Sequence, residues 1–305
     1  MNPRLAYAPA SNPIRVLLVL AAMLVMAAPA AAQSVERDMF VSVLDASDAP
    51  VLTLGADDFI VREDGRAREV LRARHASDPF DLVVLVDTSQ ALSTQISDVR
   101  KALEGFVARM REQARISIVG FGERPTVLAD STNSQQALAD GIGRIFPITG
   151  AGAYVLDAVD DVLRGIEKSK PERPVIVVVW AGGREFGNET HTELVDKLVA
   201  TGTAFHVIAI GAGVPRDMFT NEGRVRENLF DRGTAATGGR RRNVLSSMAL
   251  PEELNRLASE LLGQYRITFA RPDALIPPKQ TEVAVRPAGL TARGLLVPVR
   301  RPAER

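Results

Sequence analysis

The sequence predicts an α/β fold, with a doubly wound, mostly parallel sheet and a flanking antiparallel β subdomain built from both chain ends. Three observations carry this. Continuous apolar runs such as Leu82–Val86, Val175–Val179 and Phe205–Ile210 read as strands buried on both faces. Between them lie segments with apolar residues at helical spacing, which implies right-handed βαβ crossovers. Outside this middle region the texture changes to short alternating runs separated by turn residues.

Taken in order, Asp38–Leu44 alternates weakly and leads into the turn-rich Asp45-Ala46-Ser47-Asp48. Phe59-Ile60-Val61 runs into Glu63-Asp64-Gly65-Arg66, where Asp-Gly is a tight-hairpin signal, and Val70–Arg74 resumes as a strand. After the strand Leu82–Val86, the positions Ile96, Val99, Leu103, Phe106, Val107 and Met110 suit a helix. Ile116–Phe121 is a second strand, and Thr126-Val127-Leu128 a short edge strand beside it. Leu138, Ile142 and Ile145 suit a helix, as do Val155 through Ile166 and Glu193–Ala200. The stretch from Gly211 to Asn243 is polar and rich in Gly and Arg, and shows no period. Pro251 opens a final amphipathic helix with Leu254, Leu257, Leu261 and Leu262. Tyr265–Phe269, Thr281–Val285 and Leu295–Val297 read as half-exposed strands, expected to join the N-terminal strands in one sheet or sandwich.

The chain has 305 residues, 46% hydrophobic and 24% charged, with a formal net charge of +0 and no cysteine. Neutral charge gives no support to nucleic acid or an anionic membrane surface as the main partner. Arg4 and Arg15 precede the apolar run Val16–Ala28, and Ala30-Ala31-Ala32 supplies a small-residue cleavage site. This reads as a secretory signal peptide, with the mature chain beginning near Gln33; an uncleaved anchor is the alternative. No later segment is long and apolar enough to cross a bilayer. The absence of a lipidation cysteine after the signal argues against a lipoprotein. The expected localisation is periplasmic or secreted. The expected organisation is 1–32 signal peptide, 33–79 N-terminal β segment, 80–263 α/β domain and 264–305 C-terminal β segment.

The stretch that carries chemistry is Asp87-Thr88-Ser89-Gln90-Ala91, at the carboxyl end of the first buried strand, where open α/β sheets bind ligands. It resembles the D-x-S-x-S start of the von Willebrand factor A family, whose metal-ion-dependent adhesion site holds a divalent cation. Leu54–Phe59 with Glu63-Asp64-Gly65, the turn Thr237-Gly238-Gly239 before the last helix, and the exit Gln264-Tyr265 are similar to other segments of bacterial members. The resemblance covers most of the mature chain and implies a Rossmann-type α/β domain that binds partners at this sheet edge. It also implies ligand positions that this sequence lacks. Ala91 replaces the second serine, Ala153 the loop threonine, and Ala181, in Trp180-Ala181-Gly182, the aspartate of a T-D-G sequence. Asp87 and Ser89 remain as vestigial ligands. No metal site is expected, because magnesium wants near-octahedral oxygen coordination and two side chains would hold it only weakly. No other cofactor is implied.

Buried without a cation, Asp87 needs a partner. Arg184 follows the missing aspartate and is either its countercharge or a solvated loop residue. Trp180 is either a core residue or an anchor at the docking face. Arg240-Arg241-Arg242, with Arg293, Arg300, Arg301 and Arg305, reads as solvated surface. His75, His191 and His206 form no metal motif, and His206 reads as structural. Gly211-Ala212-Gly213 fails the dinucleotide fingerprint, and no nucleophile comes with a base, so the chain is not expected to be an enzyme. The expected function is non-catalytic binding of a protein partner at the face marked by Asp87, Ser89, Trp180 and Arg184. The rivals are a divalent-cation-dependent adhesion module, and an envelope structural or assembly factor acting through the β subdomain.

Overall fold

The computed structural model describes residues 34–211, 217–273, 276, 278 and 280–298. The signal segment, Ala212-Gly213, Arg300, Arg301 and Arg305 lie outside these residues.

The N-terminal strands are β1 (Ser34–Leu44), β2 (Phe59–Glu63), β3 (Arg66–Arg68) and β4 (Val70–His75). Between β2 and β3, Asp64 and Gly65 both take positive φ, 47° and 76°, as a two-residue hairpin turn of the primed type demands. The α/β region follows as β5 (Phe80–Val86), α1 (Ile96–Met110), β6 (Ala114–Gly120), β7 (Thr126–Thr132), α2 (Gln135–Gly143), α3 (Val155–Ser169), β8 (Pro174–Trp180), α4 (His191–Thr201), β9 (Ala204–Ile210), α5 (Asn221–Ala236), β10 (Arg241–Val244) and α6 (Leu250–Leu262). The chain ends in β11 (Tyr265–Pro272), β12 (Thr281–Val285) and β13 (Thr291–Leu296).

The central sheet has the order β10-β9-β8-β5-β6-β7, parallel throughout except for the antiparallel edge strand β7. Helices cover both faces. One core packs β5, β6 and β8 against α1 and α6; the other packs the opposite face against α3, α4 and α5. All seven residues of β8 are buried. Each such Val or Ile contributes about 1.5–3 kcal/mol, which explains why the middle strands are unbroken apolar runs.

The chain ends interleave. In one antiparallel sheet the order is β13-β1-β11-β4, and β12-β2-β3 forms a second, smaller one. Met39, Val41, Phe59, Val61, Ile267 and Phe269 fill the space between them.

The region that showed no period contains α5 and β10. Helix α5 buries Gly223, Arg226, Gly233 and Thr234 beside Leu229 and Phe230, so its inward face is largely polar and leaves no apolar stripe. The arginine triplet is not solvated surface. Arg240 pairs with Asp48 and Glu260, Arg241 with Glu227 and Asp231, and Arg242 with Asp48. His206 is buried in β9, and its Nδ1 accepts the Arg240 N–H at 3.2 Å, a structural role. In the Thr237-Gly238-Gly239 turn, the Thr237 hydroxyl accepts the Phe205 N–H at 3.0 Å and donates to the Gly233 carbonyl at 2.7 Å. A side chain at Gly239 would collide with the Phe205 carbonyl, so the chain can close onto β9 only with glycine there.

Candidate functional site

The site is built at the carboxyl ends of β5 and β8 by the loops that follow them and by the 148–154 loop before α3. Asp87 ends β5 with 0% exposure. Its Oδ1 accepts the Ser89 N–H at 2.9 Å, and its Oδ2 accepts the N–H groups of Ala181 at 2.9 Å and Gly183 at 3.0 Å. Burial pushes its carboxyl above the usual range, and the hydrogen bonds from Ser89, Gly183 and Ala181 act against that rise. The Ser89 hydroxyl accepts the Ala91 N–H at 3.3 Å, capping the short turn of helix at Gln90–Thr94. Thr88 accepts the Gly122 N–H at 2.8 Å and so fixes the loop to the end of β6.

The loop after β8 lies against this carboxylate. A Cβ on Gly183 would collide with the Ser89 hydroxyl and come within 2.9 Å of Asp87 Oδ2 and 3.0 Å of the Ala153 methyl. Ala153 is fully buried and bridges to the same loop, donating its N–H to the Arg184 carbonyl at 2.6 Å and accepting the Phe186 N–H at 2.9 Å. Gln90 holds the preceding turn through its N–H to the Ala151 carbonyl and its Oε1 to the Gly150 N–H. Asp87, Ser89, Ala153 and Ala181 are thus brought together, as the resemblance implies. Their contacts run through backbone N–H groups.

Arg184 does not reach Asp87. It is exposed and lies over the Phe186 ring, 5.1 Å from its centroid. Of the two readings of Arg184, the solvated loop residue holds, and the acid is satisfied by main-chain donors instead. Trp180, 5% exposed, offers no ring to a partner. Its Nε1 donates to the Gly183 carbonyl at 3.1 Å, and its ring meets Phe230 edge-on at 6.1 Å. It braces the loop from below.

A buried ion network beneath the loop was missed in the sequence. Arg226 of α5 is fully buried, 4.2 Å from the Trp180 ring centre, and bonds both oxygens of Asp217 at 2.5 and 2.9 Å. Burial acts to raise the Asp217 carboxyl, but the Arg226 hydrogen bonds and charge, together with the Glu185 N–H, hold the group below its usual range. Asp217 also accepts the Glu185 N–H at 2.8 Å. The Glu185 side chain, buried in turn, accepts the Gly187 N–H at 2.9 Å and the Val155 N–H at the start of α3 at 3.3 Å. Burial pushes its carboxyl up to about 8, against the effects of those N–H groups and of the Arg226 charge. The available signal was Thr220, a helix N-cap with acidic Glu222 in the first turn, which marks α5 despite its polar face.

The doubly wound sheet carries its D-x-S loop at the carboxyl edge, the place where open α/β sheets bind ligands. Residues 81–228 match the model of the von Willebrand factor type A domain, and this part of the chain is such a domain. A von Willebrand factor type A protein from Catenulispora acidiphila superposes with a TM-score of 0.52 at 10% identity, covering 87% of this chain and 74% of that one. Proximal thread matrix protein 1 from the mussel byssus, solved with a zinc-occupied MIDAS motif, superposes with a TM-score of 0.51 at 11% identity, covering 66% of this chain. This chain spans about half of the mussel protein, 49% of its length. At these identities the likeness is one of fold. A comparison with curated proteins finds no match.

Proposed function

We propose that this chain is a non-catalytic protein-binding module of an exported protein, docking its partner at the carboxyl edge of the central sheet without a bound cation. Domains of this type commonly serve as protein-interaction or adhesion modules. The observation that carries the proposal is the Asp87 carboxylate, both of whose oxygens accept main-chain N–H groups. A magnesium-like ion wants near-octahedral oxygen coordination, with one or two carboxylates and several waters. Ala91, Ala153 and Ala181 stand at the positions where the resemblance implies oxygen ligands, and the Gly183 backbone lies against Ser89 and Asp87. Among the described residues no group of three or more His, Asp or Glu is placed to hold a metal. The residues present do not fit a divalent ion.

What the edge offers is apolar contact and cationic faces. Phe146, Ile148 and Phe186 are 60%, 37% and 42% exposed, and Arg100 and Arg184 lie over the two phenylalanine rings. Recognition then rests on shape, apolar area and arginine pairing. Export is proposed from the N-terminal sequence; among the described residues no helix is long and apolar enough to cross a membrane. The test is partner capture by the immobilised chain with and without a chelator. Capture should be equal in both, and strictly cation-dependent capture would overturn the proposal in favour of an adhesion module of the metal-bridged kind.

A further inference from the structure

At the opposite edge of the central sheet, where β8 begins, a second buried charge is incompletely satisfied. Arg173 is 3% exposed, and its guanidinium lies between the rings of Phe80 and Phe40, 3.7 and 4.7 Å from their centres. Nη1 donates to the Asp78 carbonyl at 3.1 Å, and Nη2 donates to the Leu261 carbonyl at 2.8 Å and Gln264 Oε1 at 2.7 Å. None of these acceptors is charged; the Asp78 carboxylate acts on Arg173 by its charge alone, its oxygen being paired with Arg74 and Arg266, and among the described residues no carboxylate forms an ion pair with Arg173. Its Nε is buried without a hydrogen-bond partner.

Arg293 of β13 repeats the situation across a gap. Its Nη2 bonds Glu260 at 2.6 Å, while its Nε is also buried and unpartnered. Both arginines line one cavity of about 20 Å³ between the α/β domain and the β subdomain, with Phe40, Gln264, Thr237 and Gly238 on its walls. That volume admits a single body the size of a water or a halide. A buried cation without an opposite charge is expensive, and an unmade buried hydrogen bond costs about 1–3 kcal/mol. Both deficits have the same remedy. Water would answer the donors and leave Arg173 without an ion pair; an anion answers both.

We infer that this cavity is a binding site for a small monovalent anion of halide size, held between Arg173 and Arg293 and joining the β subdomain to the α/β domain. It is independent of the loops around Asp87 and of any partner bound there. The test uses the full chain and halide salts alone. Crystals soaked in sodium bromide should give an anomalous peak in the cavity, within hydrogen-bonding distance of both Nε atoms. In parallel, the melting temperature should rise saturably in sodium chloride relative to sodium gluconate at matched ionic strength, by about 3 °C at a tenfold excess over the dissociation constant. Arg293→Lys keeps a cation beside Glu260 but removes the Nε donor, and should weaken that response at least tenfold in chloride concentration. A water or an empty map in the bromide crystals overturns the inference even if the variant does not fold. So does a melting temperature indifferent to the anion, or an undiminished response in the variant.

Discussion

Asp87 and Arg173 are buried charges at opposite edges of one sheet, and they are satisfied to different degrees. Asp87 takes three main-chain N–H groups, two from a loop that bends over it at Ala181 and Gly183. Arg173 finds two carbonyls and one amide, and its Nε has no partner. A small-residue loop can wrap a carboxylate with its own backbone, because successive N–H groups converge where no side chain intervenes. A guanidinium has five donors in a rigid fork, too many for fixed backbone to meet at a junction between two packed layers. The carboxyl edge is therefore closed around its charge, and the opposite edge has room for a counterion.

The largest test of this contrast is Asp87→Ala. It strands three buried N–H donors and should cost about 3–5 kcal/mol in urea unfolding. Asp87→Asn keeps one acceptor oxygen, enough for the Ala181 and Gly183 N–H groups, but turns an NH2 donor toward the Ser89 N–H, so it should cost less than Asp87→Ala and more than nothing. Equal losses from the two variants would show that the remaining oxygen does not hold the loop.

Next in size is the pH dependence set by Glu185. Its carboxyl is raised to about 8 in the folded protein from an ordinary 4.5, so between these values the folded state holds a proton that the unfolded state has released. Its contribution is complete below about pH 4.5 and is lost as pH rises through 8. Glu185→Gln should remove this loss. Relative to the variant, the parent should weaken by about 1–2 kcal/mol between pH 6.5 and 8, read from urea midpoints. A constant difference across that range would place the ionised form in the folded protein. Smallest of all is Arg184→Ala, expected to change stability by less than about 0.5 kcal/mol because the side chain is exposed and only overlies Phe186. A loss above 2 kcal/mol would restore it as the partner of Asp87.

The same contrast separates what was legible in the sequence. Strands β5, β8 and β9 announce themselves because burial on both faces requires unbroken apolar runs, and α1, α3 and α6 because one apolar stripe faces the sheet. The alanines at 91, 153 and 181 stand out only through the resemblance, which implies oxygen ligands at those positions. The clamp on Asp87 was not readable, since main-chain N–H groups belong to every residue and carry no signature. Arg184 follows the position of the missing aspartate, and the sequence left it open as a countercharge or a solvated loop residue. Helix α5 and strand β10 were hidden for a related reason. Their inward positions are Arg226, Gly223 and Thr234 and the ion-paired Arg241, whose burial depends on Asp217, Glu227 and Asp231 elsewhere in the chain.

Asp87 anchors a loop through its N–H groups, and it is expected to coordinate no ion. Titration calorimetry of the full chain with magnesium and then manganese tests this most directly. No saturable heat should appear with either metal, whereas stoichiometric binding abolished by Asp87→Asn would show that the carboxylate holds an ion.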